Sequence, residues 1–192
     1  MACGADGVEL DVGVTPDGRL LVTHDLPPRS DVPLPTLDQV LALTAPGNFW
    51  FDIEAKSAPH LAPDPPRYAQ LLSDALRRSP HGHRLIVRSF EHDILRAFHA
   101  IEPEIPLAAL IAFPTGDWVK IARAASASII SPRYATVTRN RVSRAHDAGI
   151  CVSVWTVNQP KDWDRQVEMG VDTIITDDPA AAVSYLASRE YR

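Results

Sequence analysis

Glu9 and Asp11 stand two apart in the apolar run Val8-Glu9-Leu10-Asp11-Val12. Side chains two apart on a strand point to the same face, so these carboxylates can share a ligand. A carboxylate withdrawn from water needs compensation, either from a hard cation bound through oxygen or from a structural salt bridge. A second run, Phe49-Trp50-Phe51-Asp52-Ile53-Glu54-Ala55-Lys56, sets Phe51, Ile53 and Ala55 on one face and Asp52, Glu54 and Lys56 on the other. Alone, that polar stripe is equally well a satisfied ion pair. Two neighbouring strands turning acidic faces the same way favour a metal site.

His24 follows a short extended run and sits beside Asp25. Imidazole titrates near neutrality as a residue type, which suits proton transfer, although an exposed histidine is the plainer alternative. The remaining histidines are read as surface residues: His60, His81 and His83 in polar loops, and His92, His99 and His146 on or beside helices. Trp155-Thr156-Val157-Asn158 puts an aromatic and an amide at a strand's carboxyl end, where barrel enzymes build their sites; packing is the other use for Trp155. Thr176-Asp177-Asp178-Pro179 ends the last strand, and helix capping is its favoured role. Of the two cysteines, Cys151 is expected to be a small buried hydrophobe within an apolar strand, and neither it nor Cys3 is assigned a function.

The elements that must hold these residues alternate regularly. Strands are expected over 8–12, 49–55, 85–89, 107–112, 128–131, 151–156 and 173–176, with helices over 36–43, 67–78, 94–101, 117–125, 138–147, 162–169 and 180–188. That is the pattern of parallel strands joined by crossover helices, either a barrel or a doubly wound sheet. The near-continuous apolar strands suit burial on both faces. Glu91 or Asp93 is expected to cap the third helix, Gly149 to close the fifth, and Pro179 to open the last. Thr15-Pro16-Asp17-Gly18-Arg19 is a turn, so 20–23 returns as a hairpin that carries His24 back toward the first strand. The Pro-rich stretch 58–66 is read as a rigid surface connection.

The chain has 192 residues, 45% hydrophobic and 22% charged, which fits one domain over 1–192 with a sizeable core. A net charge of −5 without any Lys/Arg run argues against a nucleic-acid partner. No apolar run approaches the ~20 residues that cross a bilayer, so no membrane span is expected. The opening residues do not resemble a secretory signal, which makes a cytoplasmic location the expectation.

Together, Gly4-Ala5-Asp6-Gly7-Val8-Glu9-Leu10-Asp11-Val12, Thr15-Pro16-Asp17-Gly18 and His24-Asp25 resemble the glycerophosphodiester phosphodiesterases. Pro35-Thr36-Leu37, Asp52-Ile53-Glu54-Ala55-Lys56, Ser89-Phe90, Trp155-Thr156-Val157-Asn158 and Ile174-Ile175-Thr176-Asp177 continue the likeness in order. Each piece is weak, but the joint order and spacing are specific and cover nearly the whole chain. The resemblance implies an α/β fold, a TIM (β/α)8 barrel of the phosphodiesterase type. It further implies Glu9, Asp11 and Glu54 as ligands of a divalent metal, Mg²⁺ or Ca²⁺. Lys56 would face the phosphate as a catalytic and substrate-binding group, His24 would act as acid or base, and Trp155 would line the substrate pocket. The implied reaction converts a small-molecule glycerophosphodiester to glycerol 3-phosphate and an alcohol, in lipid and glycerol metabolism.

The family's opening strand, with its His-Arg-Gly motif, and the helix after it have no counterpart in this sequence. The barrel is therefore expected to lack its first strand and helix, and the stretch after His24 is reduced to Pro27-Pro28-Arg29-Ser30. A competing reading from another class follows: a catalytically impaired barrel remnant that binds phosphodiesters or a partner chain, with exposed barrel edges that invite oligomers. A third reading, a phospholipase-D-toxin-like lipid hydrolase on a related barrel, gains nothing from this acidic chain with two cysteines.

Overall fold

The computed structural model describes residues 3–25, 33–43, 48–57, 63–82, 84–113 and 116–189. The chain divides into two compact units, Gly7–Leu107 and the combination of Met1–Asp6 with Ala108–Arg192. Each alternates parallel strands with helices, the first unit adding one antiparallel hairpin strand.

In the first unit, β1 (Gly7–Val14) turns back through Thr15–Arg19 into the short antiparallel β2 (Leu20–Val22). Gly18 supplies the positive φ of 86° that this turn needs, a conformation that costs a residue with a Cβ. The hairpin register pairs Val12 with Val22, and the Thr23 amide donates to the Asp11 carbonyl at 2.9 Å. β3 (Trp50–Ala55) runs parallel to β1, and β4 (Leu85–Ser89) runs parallel to β3. Gly7 opens β1 directly opposite Trp50. A Cβ there would lie 2.8 Å from the Trp50 carbonyl oxygen, so only glycine permits this approach.

The helices of this unit bury one stripe each. α1 (Leu37–Leu41) begins in a capping box, in which Thr36 Oγ1 accepts from the Gln39 amide and the Gln39 side chain accepts from the Thr36 amide. α2 (Pro65–Arg78) starts on Asp64, whose side chain accepts from the Arg67 amide, and it buries Tyr68, Ala69, Leu72, Ala75 and Leu76 at helical spacing. Each fully buried Leu on that stripe contributes roughly 1.5–3 kcal/mol. Pro65 and Pro66 form the first turn of α2, so the expected Pro-rich connection ends earlier than its composition implied; 58–62 lie outside the described residues. α3 (His92–His99) has Glu91 at its N-cap position, but neither Glu91 nor Asp93 makes the expected cap. The Ser89 hydroxyl instead accepts from the Glu91 amide at 3.0 Å.

In the second unit, β5 (Leu107–Ile111, shared with the unit boundary), β6 (Ile129–Pro132), β7 (Cys151–Val154) and β8 (Thr173–Ile174) pair in sequence order, all parallel. α4 (Trp118–Ala124), α5 (Arg139–Asp147), α6 (Pro160–Met169) and α7 (Pro179–Ser188) separate or follow them. Gly149 after α5 has φ of 74°, and Pro179 opens α7 behind the Asp178 cap, both as expected. The seven expected strands and seven expected helices all occur among the described residues, their ends shifted by no more than two residues. No helix among them is long and apolar enough to cross a membrane.

Two further sequence readings fail in the structure. Cys151 is exposed rather than buried, because it occupies the first position of β7, where the strand has not yet entered the core. His81 is buried at 6% exposure, stacked on Phe51 at 4.2 Å with a ring nitrogen 2.8 Å from the Leu41 carbonyl. It follows α2 in a polar loop, but that loop folds under Phe51. His92 and His99 are half-buried, and His146 is exposed and pairs with Asp172 at 2.9 Å. His60, His83 and the stretch Pro27-Pro28-Arg29-Ser30 lie outside the described residues.

Candidate active site

The pleat of β1 brings Glu9 and Asp11 to one face, and the parallel register places Asp52 opposite Glu9 and Glu54 opposite Asp11. Oxygens from Glu9, Asp11 and Glu54 all lie within 4.8 Å of one another. Lys56, the residue after β3, sends its Nζ to Asp11 Oδ1 at 2.9 Å and to Glu54 Oε1 at 2.8 Å. Its backbone amide donates to the Val12 carbonyl, which fixes the chain where it leaves the strand.

The carboxylates outnumber the cations. Glu9, Asp11, Asp52 and Glu54 face Lys56 and Arg88, and the Glu9 carboxylate makes no hydrogen bond or ion pair among the described residues. Burial, followed by the Asp11 carboxylate, pushes the Glu9 pKa up to about 7, against the pull of the Arg88 charge. Burial works to lower the Lys56 pKa, but its hydrogen bonds to Glu54 and Asp11 outweigh that and hold it above the ordinary lysine value. An all-oxygen donor set that includes a half-buried carboxylate without an ion-pair partner among the described residues fits a hard divalent cation.

The carboxyl ends of these strands are held from below. The buried Tyr68 hydroxyl on α2 donates to the Val12 carbonyl at 2.5 Å, and the Ser89 hydroxyl at the end of β4 donates to the Ala55 carbonyl at 2.7 Å. Both strand ends beside the carboxylates are thereby tied to neighbouring elements.

His24 stands one residue past the Thr23 amide that bonds Asp11, so the hairpin returns it to the acidic end of β1. Its side chain is exposed, with Nδ1 3.2 Å from Asp25 Oδ1. Trp155 belongs to the other unit, where its indole nitrogen donates to the Ser131 carbonyl at 2.9 Å. Asn158 donates to Asp177 at 2.6 Å and accepts from the Thr176 hydroxyl and the Asp177 amide.

Sequence reasoning missed Arg88. It is 2% exposed, and its guanidinium grips the Asp52 carboxylate with two donors, Nε to Oδ1 at 2.7 Å and a terminal nitrogen to Oδ2. An arginine inside the apolar strand Leu85-Ile86-Val87-Arg88-Ser89 was the available signal. The Asp52, Glu54 and Lys56 stripe thus contains a satisfied ion pair at Asp52 and a convergent carboxylate group at Glu54.

The geometry defines an α/β protein in which adjacent parallel strands present a carboxylate and lysine cluster near their carboxyl ends. The sequence pattern of the Glycerophosphoryl diester phosphodiesterase family matches residues 26–181, and the chain belongs to that family. Glu54, Lys56 and Trp155 fall within that match, while Glu9, Asp11 and His24 precede it. The chain is 28% identical over 214 residues to a glycerophosphodiester phosphodiesterase of Caldanaerobacter subterraneus subsp. tengcongensis, covering 96% of this chain and 87% of that protein. It is 30% identical over 213 residues to a glycerophosphodiester phosphodiesterase of Bacillus altitudinis, covering 94% and 86%. Among solved structures, an Oleispira antarctica phosphodiesterase in complex with the product sn-glycerol-3-phosphate superposes with a TM-score of 0.86 at 19% identity, covering 97% of this chain and 87% of that one. The fold is accordingly the TIM-barrel type of the phosphodiesterases, and the protein is a phosphoric diester hydrolase of this family.

Proposed function

We propose that the chain hydrolyses glycerophosphodiesters to glycerol 3-phosphate and an alcohol, in lipid and glycerol metabolism, with Glu9, Asp11 and Glu54 holding a divalent cation, Mg²⁺ or Ca²⁺. The observation that carries this reading is the convergence of the three carboxylates within 4.8 Å, two of them bonded to Lys56. When bound, such a cation supplies Lewis-acid stabilisation of charge on the phosphate oxygens. Residues 1–192 are read as one domain, because the family match runs without a break from one compact unit into the other.

Lys56 is assigned to the phosphate. With Asp11 and Glu54 drawing on it from one side, its ammonium keeps its charge and retains a donor for a phosphate oxygen. His24, exposed beside Asp25, is assigned proton transfer, and the neighbouring carboxylate orients the ring. Trp155 is proposed as a substrate-binding aromatic at the carboxyl end of β7.

Incubation with glycerophosphocholine tests the assignment. Release of glycerol 3-phosphate should stop with a chelator, return with added Mg²⁺ or Ca²⁺, and fall about 100-fold or more in His24→Ala. Release that ignored the chelator and survived that substitution would overturn the assigned roles.

A further inference from the structure

Arg88 occupies β4 in register with Glu54, on the strand beside the one that carries Asp52 and Glu54. Its planar fork engages both oxygens of Asp52, and a guanidinium keeps its charge at every accessible pH. Asp52 is the register partner of Glu9 and shares the face of Glu54. Even so, the oxygens that converge are those of Glu9, Asp11 and Glu54, without Asp52. A carboxylate so close to a cation site is ordinarily free to join it, and here a buried counter-charge holds it aside.

We propose that Arg88 is a positioning residue that withholds Asp52 from the metal, so that the site offers three carboxylates and a net charge suited to a divalent ion. The inference rests on the metal-dependent reading above. Ligand number is the quantity at stake. Mg²⁺ keeps several waters and accepts few carboxylates, whereas Ca²⁺ takes six to eight oxygens and gains from a fourth carboxylate. Arg88 thereby limits the preference for the larger ion.

The test is calorimetric titration of the metal-stripped full chain with Mg²⁺ and with Ca²⁺. Asp52→Asn leaves the Arg88 charge uncompensated beside the site and should weaken both ions by about tenfold. Arg88→Gln releases Asp52 and should raise the Ca²⁺ over Mg²⁺ affinity ratio by about tenfold. The double variant Asp52→Asn/Arg88→Gln removes both charges and should return both affinities to within about threefold of the wild type. If Arg88→Gln does not fold, Asp52→Asn and the double variant decide. Wild-type metal binding matched within threefold by Asp52→Asn would overturn the role of Arg88. A wild-type chain that binds neither ion would overturn the metal reading and this inference with it.

Discussion

Asp11 and Glu54 are register partners across β1 and β3, and the Lys56 ammonium bridges them at 2.9 and 2.8 Å. Two carboxylates side by side on parallel strands repel, and the lysine offsets that repulsion while leaving Glu9 without a counter-charge of its own. Lys56→Met should therefore lower turnover on glycerophosphocholine by about 100-fold or more, through lost charge on the phosphate side. It should also lower the thermal midpoint of the metal-free chain, and added Mg²⁺ or Ca²⁺ should restore part of that loss. Steady-state kinetics and thermal melts with and without metal check this.

Glu9 makes the metal-free protein pH-sensitive. Its folded pKa of about 7 stands above the ordinary 4.5, so the folded state binds this proton more tightly than the unfolded chain does. The stabilisation is complete below about 4.5 and is lost as pH rises through about 7. Denaturant midpoints of the metal-free chain should carry this downward component between those values, and Glu9→Gln should remove it. Cation affinity should climb over the same window, because the ion competes with the proton for Glu9.

Tyr68→Phe removes the buried hydroxyl that donates to the Val12 carbonyl. That carbonyl keeps its bond from the Lys56 amide, so no acceptor is orphaned and the cost should be about 1 kcal/mol. Chemical denaturation measures it.

Gly7→Ala should cost about 1–3 kcal/mol, since the new methyl meets the Trp50 backbone and the two strands cannot separate without breaking their register. A drop of several degrees in the melting midpoint is the expected result. Gly18→Ala tests a different term: open space surrounds its Cβ position, so only the positive φ penalises it, by about 1 kcal/mol.

Much of this was legible in the chain. The two-residue pleat period is local, so the shared face of Glu9 with Asp11, and of Asp52 with Glu54 and Lys56, follows from spacing alone. The capping expected around Asp178 followed equally from local chemistry, because its side chain reaches the Ala181 amide, whereas at Glu91 no side chain caps the helix. Cys151 and His81 were misjudged because burial depends on what the rest of the chain lays over a residue, which neighbouring residues do not encode.

The sequence by itself determined the alternation of strands and helices, the family, and the carboxylates that share each strand face, because these depend on periods of two and 3.6 residues and on motif order. Only the tertiary structure decided which charges meet. The register of β1 on β3 put Asp11 beside Glu54, and the crossover to β4 delivered Arg88 to Asp52, separating a paired carboxylate from three that converge. Such pairings join residues tens of positions apart, and a one-residue slip in register would turn every side chain of the strand to its other face.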